Sequence, residues 1–313
     1  MSHPEPEAAI VARGLMRRFG ALTAVDNVDL TVTRGEIFGL VGPDGAGKTT
    51  IMRMLAGVLR PDAGDIRLAG IDVLADPERA KTMLSYMPQR FGLYEDLTVG
   101  ENIFFYAELF GVPSRIRRTR SQELLEAAGM MPFRRRLAGR LSGGMKQKLG
   151  LVCALIHTPN VLLLDEPTTG VDPVSRRDFW SILYRLREQG VTILLSTAYM
   201  DEAERCSRLA LLHAGSVRHC DTPAGLKRSM PGLLFAVATA RVRDARSALA
   251  DVPGVLGTLL MGDRVNVRVD NASRVAELRR RLTASRIADA EITQIEPGIE
   301  DVFVALLGSG PPA

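Results

Sequence analysis

The stretch "GPDGAGKTT", residues 42–50, leaves a chain very few folds to adopt. It matches G-x-x-x-x-G-K-[ST], follows the apolar run 37–41 and opens the helical pattern "TTIMRMLAGVL". A strand must feed a glycine turn that becomes a helix N-terminus, which is the geometry of an α/β unit. Gly42, Gly45 and Gly47 let backbone N–H groups curl around phosphate oxygens at the positive end of that helix. Lys48 offers a charge to the β- and γ-phosphates and Thr49 a hydroxyl to Mg²⁺, with Pro43, Asp44, Ala46 and Thr50 completing the cradle. A tight glycine turn before an ordinary helix would also use these glycines, but the strand–loop–helix context favours the phosphate loop.

The rest of the chain repeats that alternation. Strand-like runs at 36–41, 161–164, 192–196 and 209–212 are separated by helical patterns, which predicts a largely parallel sheet. Residues 90–153 interrupt it with helices at 99–110, 121–128 and 143–156 and no clear strand, hence a helical insertion. "HAGSV", 213–217, reads as a hairpin turn with Gly215 supplying the permissive φ. A break follows at "KRSMPG", 227–232. Beyond it lie a strand at 234–240, a helix at 245–249, two strands within 254–269, a helix at 273–285 and a strand at 291–295. The helix "IEDVFVALL" ends the pattern. This β-α-β-β-α-β order predicts a small α+β ferredoxin-like domain. A chain of 313 residues has room for one large and one small domain.

Composition excludes several classes. The net charge of +4 suits an anionic ligand or a membrane surface without demanding nucleic acid, and no nucleic-acid partner is expected. Cys153, Cys206 and Cys220 are odd in number and lack metal spacing, which points to a reducing compartment. The N-terminus "MSHPEPEAAIVARG" carries Glu5 and Glu7 where a signal peptide would be basic. No apolar run reaches the roughly 18–20 residues that span a bilayer, so no membrane crossing is expected. Arginines at 115–120 and 134–136 flank the insertion and read as a solvated helix face, with contact to acidic lipid headgroups as the alternative.

Two further motifs add chemistry. "VLLLDEP", 161–167, delivers two carboxylates to the end of an apolar strand: Asp165 to hold Mg²⁺ and Glu166 to polarise an attacking water. In "LSGGMKQ", 141–147, Ser142, Gly143 and Gly144 open a second helix N-terminus suited to anions, with Ser142 as its N-cap. Phosphate loop, "LSGGMKQ" and "VLLLDEP" in this order resemble the nucleotide-binding subunits of ATP-binding cassette (ABC) transporters. The resemblance covers about 8–228 and implies a P-loop NTPase cassette, a RecA-like core with the helical subdomain at about 90–153. It leaves 229–313 as an accessory domain. It further implies ATP and Mg²⁺ as ligands and Gln147 as part of the signature segment. By the same resemblance Phe19 in "RRFG" stacks on adenine, and Gln89 in "MPQ" links the Mg²⁺ site to a membrane partner. Asp172 in "GVDP" belongs to an inter-subunit loop. "YMDEAERC" and "GIEDVFVALL" resemble the narrower group of drug-resistance-type exporters, whose permease is a separate polypeptide. That implies a peripheral protein on the cytoplasmic face of the membrane.

One position departs from the family pattern. Strand 191–195 runs into "STAYMDEAERC", where Asp201 and Glu202 stand early in a helix spanning 200–206, favourable to its dipole. In the family a histidine that contacts the γ-phosphate follows "ST"; here Ala198 stands there. His157 and His213 sit in other elements and offer no substitute. The family sandwiches two ATPs between two cassettes, each bound by one phosphate loop and the other's "LSGG". Ala198 therefore weakens the site built on Lys48 and Glu166 but leaves Ser142–Gly144 for a partner, so a heterodimer is favoured over a homodimer. A poorly hydrolysing regulatory or structural clamp is the second reading, and a soluble cassette acting on ribosomes the third.

Overall fold

The computed structural model describes residues 7–90, 92–287 and 289–307. Glu5 and the other residues of 1–6 lie outside them, as do 308–313. The chain divides into two compact units, one up to Cys220 and one from Asp221.

The first unit is built on a six-stranded sheet in which β3 (Ile37–Val41), β6 (Leu84–Met87), β7 (Val161–Asp165), β8 (Thr192–Thr197), β9 (Arg208–His213) and β10 (Ser216–Asp221) lie in the order β10-β9-β3-β8-β7-β6. The pairs from β9 through β3, β8 and β7 to β6 are parallel. Every residue of β3, β7 and β8 is buried, because both faces of the sheet are covered. On one face Leu162, Leu164, Ile193 and Leu195 pack with Phe179 and Trp180 of α6 (Pro173–Glu188) and with α5 (Gly143–Leu155). On the other, Leu163, Leu194 and Leu40 pack with Met52 and Leu55 of α1 (Lys48–Leu55). The expected strands, and the β9–β10 hairpin with Gly215 at φ 79°, are present.

A second, four-stranded sheet closes over α1: β1 (Ala8–Phe19), β2 (Leu22–Thr33), β4 (Ala63–Leu68) and β5 (Ile71–Asp72), in the order β2-β1-β4-β5. The sequence pattern marks none of these strands, nor β6, α2 (Pro77–Met83) or α6. Register shifts at Ala8/Ile10, Ala12/Leu15, Leu15/Arg17 and Arg17/Arg18 explain why the long hairpin was hard to see. A one-residue slip exchanges inward and outward side chains, so no single alternation runs the length of either strand.

Between β6 and β7 the described residues form no strand beyond one isolated bridge, Thr98 to Leu137, and the helical insertion is as expected. Its helices are α3 (Val99–Leu109), α4 (Ser114–Ala127) and α5. The expected start at 121 is corrected: α4 takes in the arginine run. Only Leu125 of α4 is fully buried, so apolar periodicity could not mark its first turns. The solvated-face reading is corrected in part as well. Arg120 donates from Nε to Ile156 O (2.7 Å) and from Nη2 to Leu155 O (3.1 Å), taking up carbonyls at the C-terminus of α5. Arg115 and Arg118 are exposed. After β8, α7 spans only Met200–Ala203 instead of the expected 200–206.

The second unit contains α8 (Pro223–Ser229), β11 (Leu233–Ala238), α9 (Val242–Ala250), β12 (Val255–Met261), β13 (Arg264–Val269), α10 (Arg274–Ala284), β14 (Glu291–Gln294) and α11 (Ile299–Leu307). Its sheet, ordered β12-β13-β11-β14 with antiparallel pairs, has the ferredoxin-like topology the element order implied. One face packs Val237, Val265, Val267 and Val269 against Leu249, Leu278 and Leu282 of α9 and α10. α8 packs with α11, and the compact unit therefore begins before the 228/229 division read from the sequence.

Arg120→Ala should destabilise the first unit by roughly 1–2 kcal/mol, since two helix-end carbonyls lose a charged donor. Arg115→Ala and Arg118→Ala should be near neutral. Thermal denaturation of the three variants provides the check.

Candidate functional site

β3 carries the chain to Gly42 at the carboxyl edge of the sheet, where a Cβ on Gly42 would meet Leu212 O at 2.4 Å. The turn closes at Gly47, whose φ is 105° and where a Cβ would come within 2.5 Å of Ala24 O, so the position admits no side chain. Gly47 is also the N-cap of α1 and makes no side-chain cap, so the first-turn N–H groups are left for an anion. Lys48 is only 4% exposed. Its Nζ donates to Gly42 O (2.8 Å) and Pro43 O (3.0 Å) and stands 3.2 Å from Glu166 Oε1. Gly42 and Pro43 thus hold the lysine by their carbonyls, while Asp44, Gly45, Ala46, Gly47, Thr49 and Thr50 face an open cavity of about 570 Å³. Lys48 itself borders the cavity, and Phe19, Leu22, Ala24, Gln89, Glu166 and Thr169 complete its lining. The Phe19 ring is half exposed, with the Arg17 guanidinium 5.0 Å from its centroid.

The two carboxylates of "DEP" have different surroundings. Asp165 is buried; its Oδ1 accepts from Thr49 Oγ1 (3.1 Å) and Ser196 Oγ (2.6 Å), its Oδ2 from Tyr86 OH (3.3 Å). Burial, and then the neighbouring Asp165, push the Tyr86 phenol up to about 12, so it remains a proton donor. Glu166 faces the cavity, and its Oε2 accepts from Gln89 Nε2 (3.2 Å) and Thr169 Oγ1 (3.3 Å). Its backbone sits at φ 48°, an uncomfortable region for a glutamate, with its N–H donated to Ser196 Oγ (3.0 Å). Thr49, Asp165 and Gln89 form a hard oxygen set of one carboxylate, one hydroxyl and one amide. That fits a Mg²⁺ ion that takes its remaining ligands from phosphate and water.

Other sequence-predicted residues lie elsewhere in the unit. Ser142 is the exposed N-cap of α5, its Oγ accepting from Met145 N (3.3 Å). Gly144 packs against Ser175, where a Cβ would come within 2.4 Å of that side chain. Ser142, Gly143, Gly144 and Gln147 do not line the phosphate cavity of their own chain. Neither does Asp172, which caps α6 by accepting from Val174 N (3.1 Å) and Ser175 N (2.9 Å). Hydrogen bonds from Ser175 hold its carboxyl below the usual range. Ala198 is exposed just beyond β8. His157 is bonded through Nε2 to Leu84 O (3.1 Å) and stacked on Phe110, and burial lowers its pKa; neither it nor His213 lines the cavity.

The sequence reading missed Tyr86, Ser196, Thr168, Thr197, Trp180 and the true place of Glu202. Glu202 does stand in the first turn of α7, as expected, but it is 1% exposed. The only available signal was the run of hydroxyls in "LLST" and "EPTT" at adjoining strand ends.

Comparison with known proteins agrees with this geometry. Residues 25–169 match the family model of the ABC transporter. The Escherichia coli protein named "Probable multidrug ABC transporter ATP-binding protein YbhF" is 42% identical over 306 residues, 96% of this chain. This chain spans about half (52%) of that relative's length. The daunorubicin/doxorubicin resistance ATP-binding protein DrrA of Streptomyces peucetius is 35% identical over 312 residues, 97% of this chain and 94% of its own. Among solved structures, an ATP-binding subunit of an ABC transporter superposes with a TM-score of 0.64 at 30% identity, over 70% of this chain and 92% of that one. The strand–loop–helix cradle, the paired carboxylates and a relative matched over nearly its whole length lead to one conclusion: the chain belongs to the ATP-binding proteins of ABC transporters.

Proposed function

We propose that this chain is the subunit that couples ATP binding and hydrolysis to export through a separate membrane permease, as a peripheral protein on the cytoplasmic face. The observation that carries it is the buried Lys48, bracketed by loop carbonyls and Glu166 at the mouth of a helix N-terminus. The resistance and multidrug names of its relatives support the export reading. Among the described residues no helix is long and apolar enough to cross a membrane. The nucleotide function is assigned to the first unit, up to Cys220, and an accessory role to the unit from Asp221.

Phosphate oxygens compete for Lys48 with Gly42 O, Pro43 O and Glu166, so binding frees the Glu166 carboxylate for a water. Gln89 and Thr169 hold that carboxylate toward the cavity. The water oxygen bonds to the γ-phosphorus, its proton passes to Glu166, and the bond to the bridging oxygen breaks to leave ADP. Mg²⁺, when bound, supplies neutralisation of the charge developing on the phosphates, and Thr49, Asp165 and Gln89 would hold it. Phe19 offers its half-exposed face to adenine. Ser142–Gly144 and Asp172 do not line this cavity, and we assign them to a second cassette's ATP.

Ala198 favours a second reading of the pair. A methyl group donates no hydrogen bond to the γ-phosphate, and losing one such donor slows turnover by about 10²- to 10³-fold. We therefore place this chain beside a second cassette that carries the missing histidine, forming a heterodimer with one fast site. The limiting form of that reading is a clamp that binds ATP and scarcely cleaves it.

Lys48→Ala should weaken Mg²⁺-ATP binding about 10- to 100-fold in calorimetry, and unchanged affinity would refute the phosphate-loop assignment. In a heterodimer Ser142→Arg should remove most turnover of the membrane complex, while Glu166→Gln does little. In a homodimer both are severe and Ala198→His raises activity. ATPase assays on the purified complex separate the two.

A further inference from the structure

Glu202 is 1% exposed and is not among the residues lining the phosphate cavity. Its Oε1 accepts from Thr168 Oγ1 and from Trp180 Nε1 (3.1 Å), and its Oε2 from Thr197 Oγ1 (2.7 Å). All three donors are about 1% exposed themselves. Arg176 Nε stands 3.9 Å from Oε1, while its guanidinium lies over the Tyr199 ring and pairs with Asp201 at 3.4 Å. A buried carboxyl is tolerated only when its oxygens are satisfied, and here the partners come from three separate segments.

Those segments are informative. Thr168 belongs to the turn that begins at Glu166, Thr197 immediately precedes Ala198, and Trp180 lies on α6, which Asp172 caps. The Glu166 turn is thus tied to β8 at two levels. Ser196 takes the Glu166 N–H directly, and Glu202 joins Thr168 to Thr197. Thr197 Oγ1 also accepts from Tyr199 N (3.0 Å), so the same bracket shapes the loop around position 198. A non-glycine residue at φ 48° persists only where its surroundings over-determine it, and this bracket is such a surrounding.

We propose that Glu202 is a positioning residue that holds the Glu166 turn and the loop at 197–199 in register for water activation. The proposal rests on the hydrolysis reading above. Its test reads this chain's own site: single-turnover cleavage of labelled Mg²⁺-ATP by the full chain in its membrane complex, with any second cassette's carboxylate base replaced. Glu202→Ala is expected to slow cleavage about 10- to 100-fold with Kd for Mg²⁺-ATP changed less than about threefold. Glu202→Gln keeps an oxygen for Thr168 and Trp180 and an amide for the Thr197 hydroxyl, so it should retain most of the rate. In a Glu166→Gln chain, Glu202→Ala should add little, because the base it positions is already gone. Thr197→Val, which removes one donor, should give the same pattern in smaller size and carries the test if Glu202→Ala does not fold. Unchanged cleavage, a loss confined to Kd, or losses that multiply with Glu166→Gln overturn the proposal. An unaltered chain that binds Mg²⁺-ATP without cleaving it refutes hydrolysis at this site, and the positioning role with it.

Discussion

The parallel pairing that sets Asp165 of β7 opposite Ser196 of β8 is the constraint on which the site depends. With that register Ser196 Oγ reaches Asp165 and accepts the Glu166 N–H, and Thr49 reaches Asp165 from the first turn of α1. Side chains alternate along a strand, so a slip by one residue would turn Asp165 into the hydrophobic layer and Leu164 toward the loop. The register is held by burial on both faces, Leu162 and Leu164 on one side and Leu163 on the other. Packing of an apolar strand therefore decides where two charges end.

Lys48 shows how such a site tolerates a buried cation. An ammonium withdrawn from water is costly unless it is paired and hydrogen-bonded, and here two carbonyls and one carboxylate compensate it. The same arrangement couples binding to chemistry, because an incoming phosphate competes for the lysine that Glu166 holds. Asp44 also stands 4.0 Å from Lys48, but its carboxylate is 96% exposed and screened by water, so its share is small.

A helix that looks polar in sequence can be structural. The arginines of α4 divide between solvent and the fold: Arg117 donates to Val112 O (2.5 Å) and pairs with Glu108, and Arg120 places its charge on two backbone carbonyls at the end of α5. Glu202 follows the same logic in the core. An acid beside a helix start looked suited to the dipole, yet α7 is too short to have much of one, and three buried donors claim the side chain instead.

Local chemistry explains what was legible in the sequence. The phosphate loop, the strand ending in "DEP", the N-capped "LSGG" helix and the β-α-β-β-α-β order each lie in consecutive residues with their own turn or cap signals. The second unit was read nearly element by element because its strands and helices are short and cleanly punctuated. The antiparallel sheet of β1, β2, β4 and β5 was not legible, since bulges broke its alternation and β4 joins it from across α1. Ser196, Tyr86 and the Glu202 bracket were invisible for a related reason. Their partners are distant in the chain, and nothing near Thr168 announces Thr197 or Trp180. Consecutive residues suffice to set the fold class, the phosphate loop and the alanine at 198. Which hydroxyls and amides surround Asp165 and Glu166 is settled in three dimensions, because hydrogen-bond partners are chosen by strand register and helix packing, which no local pattern records.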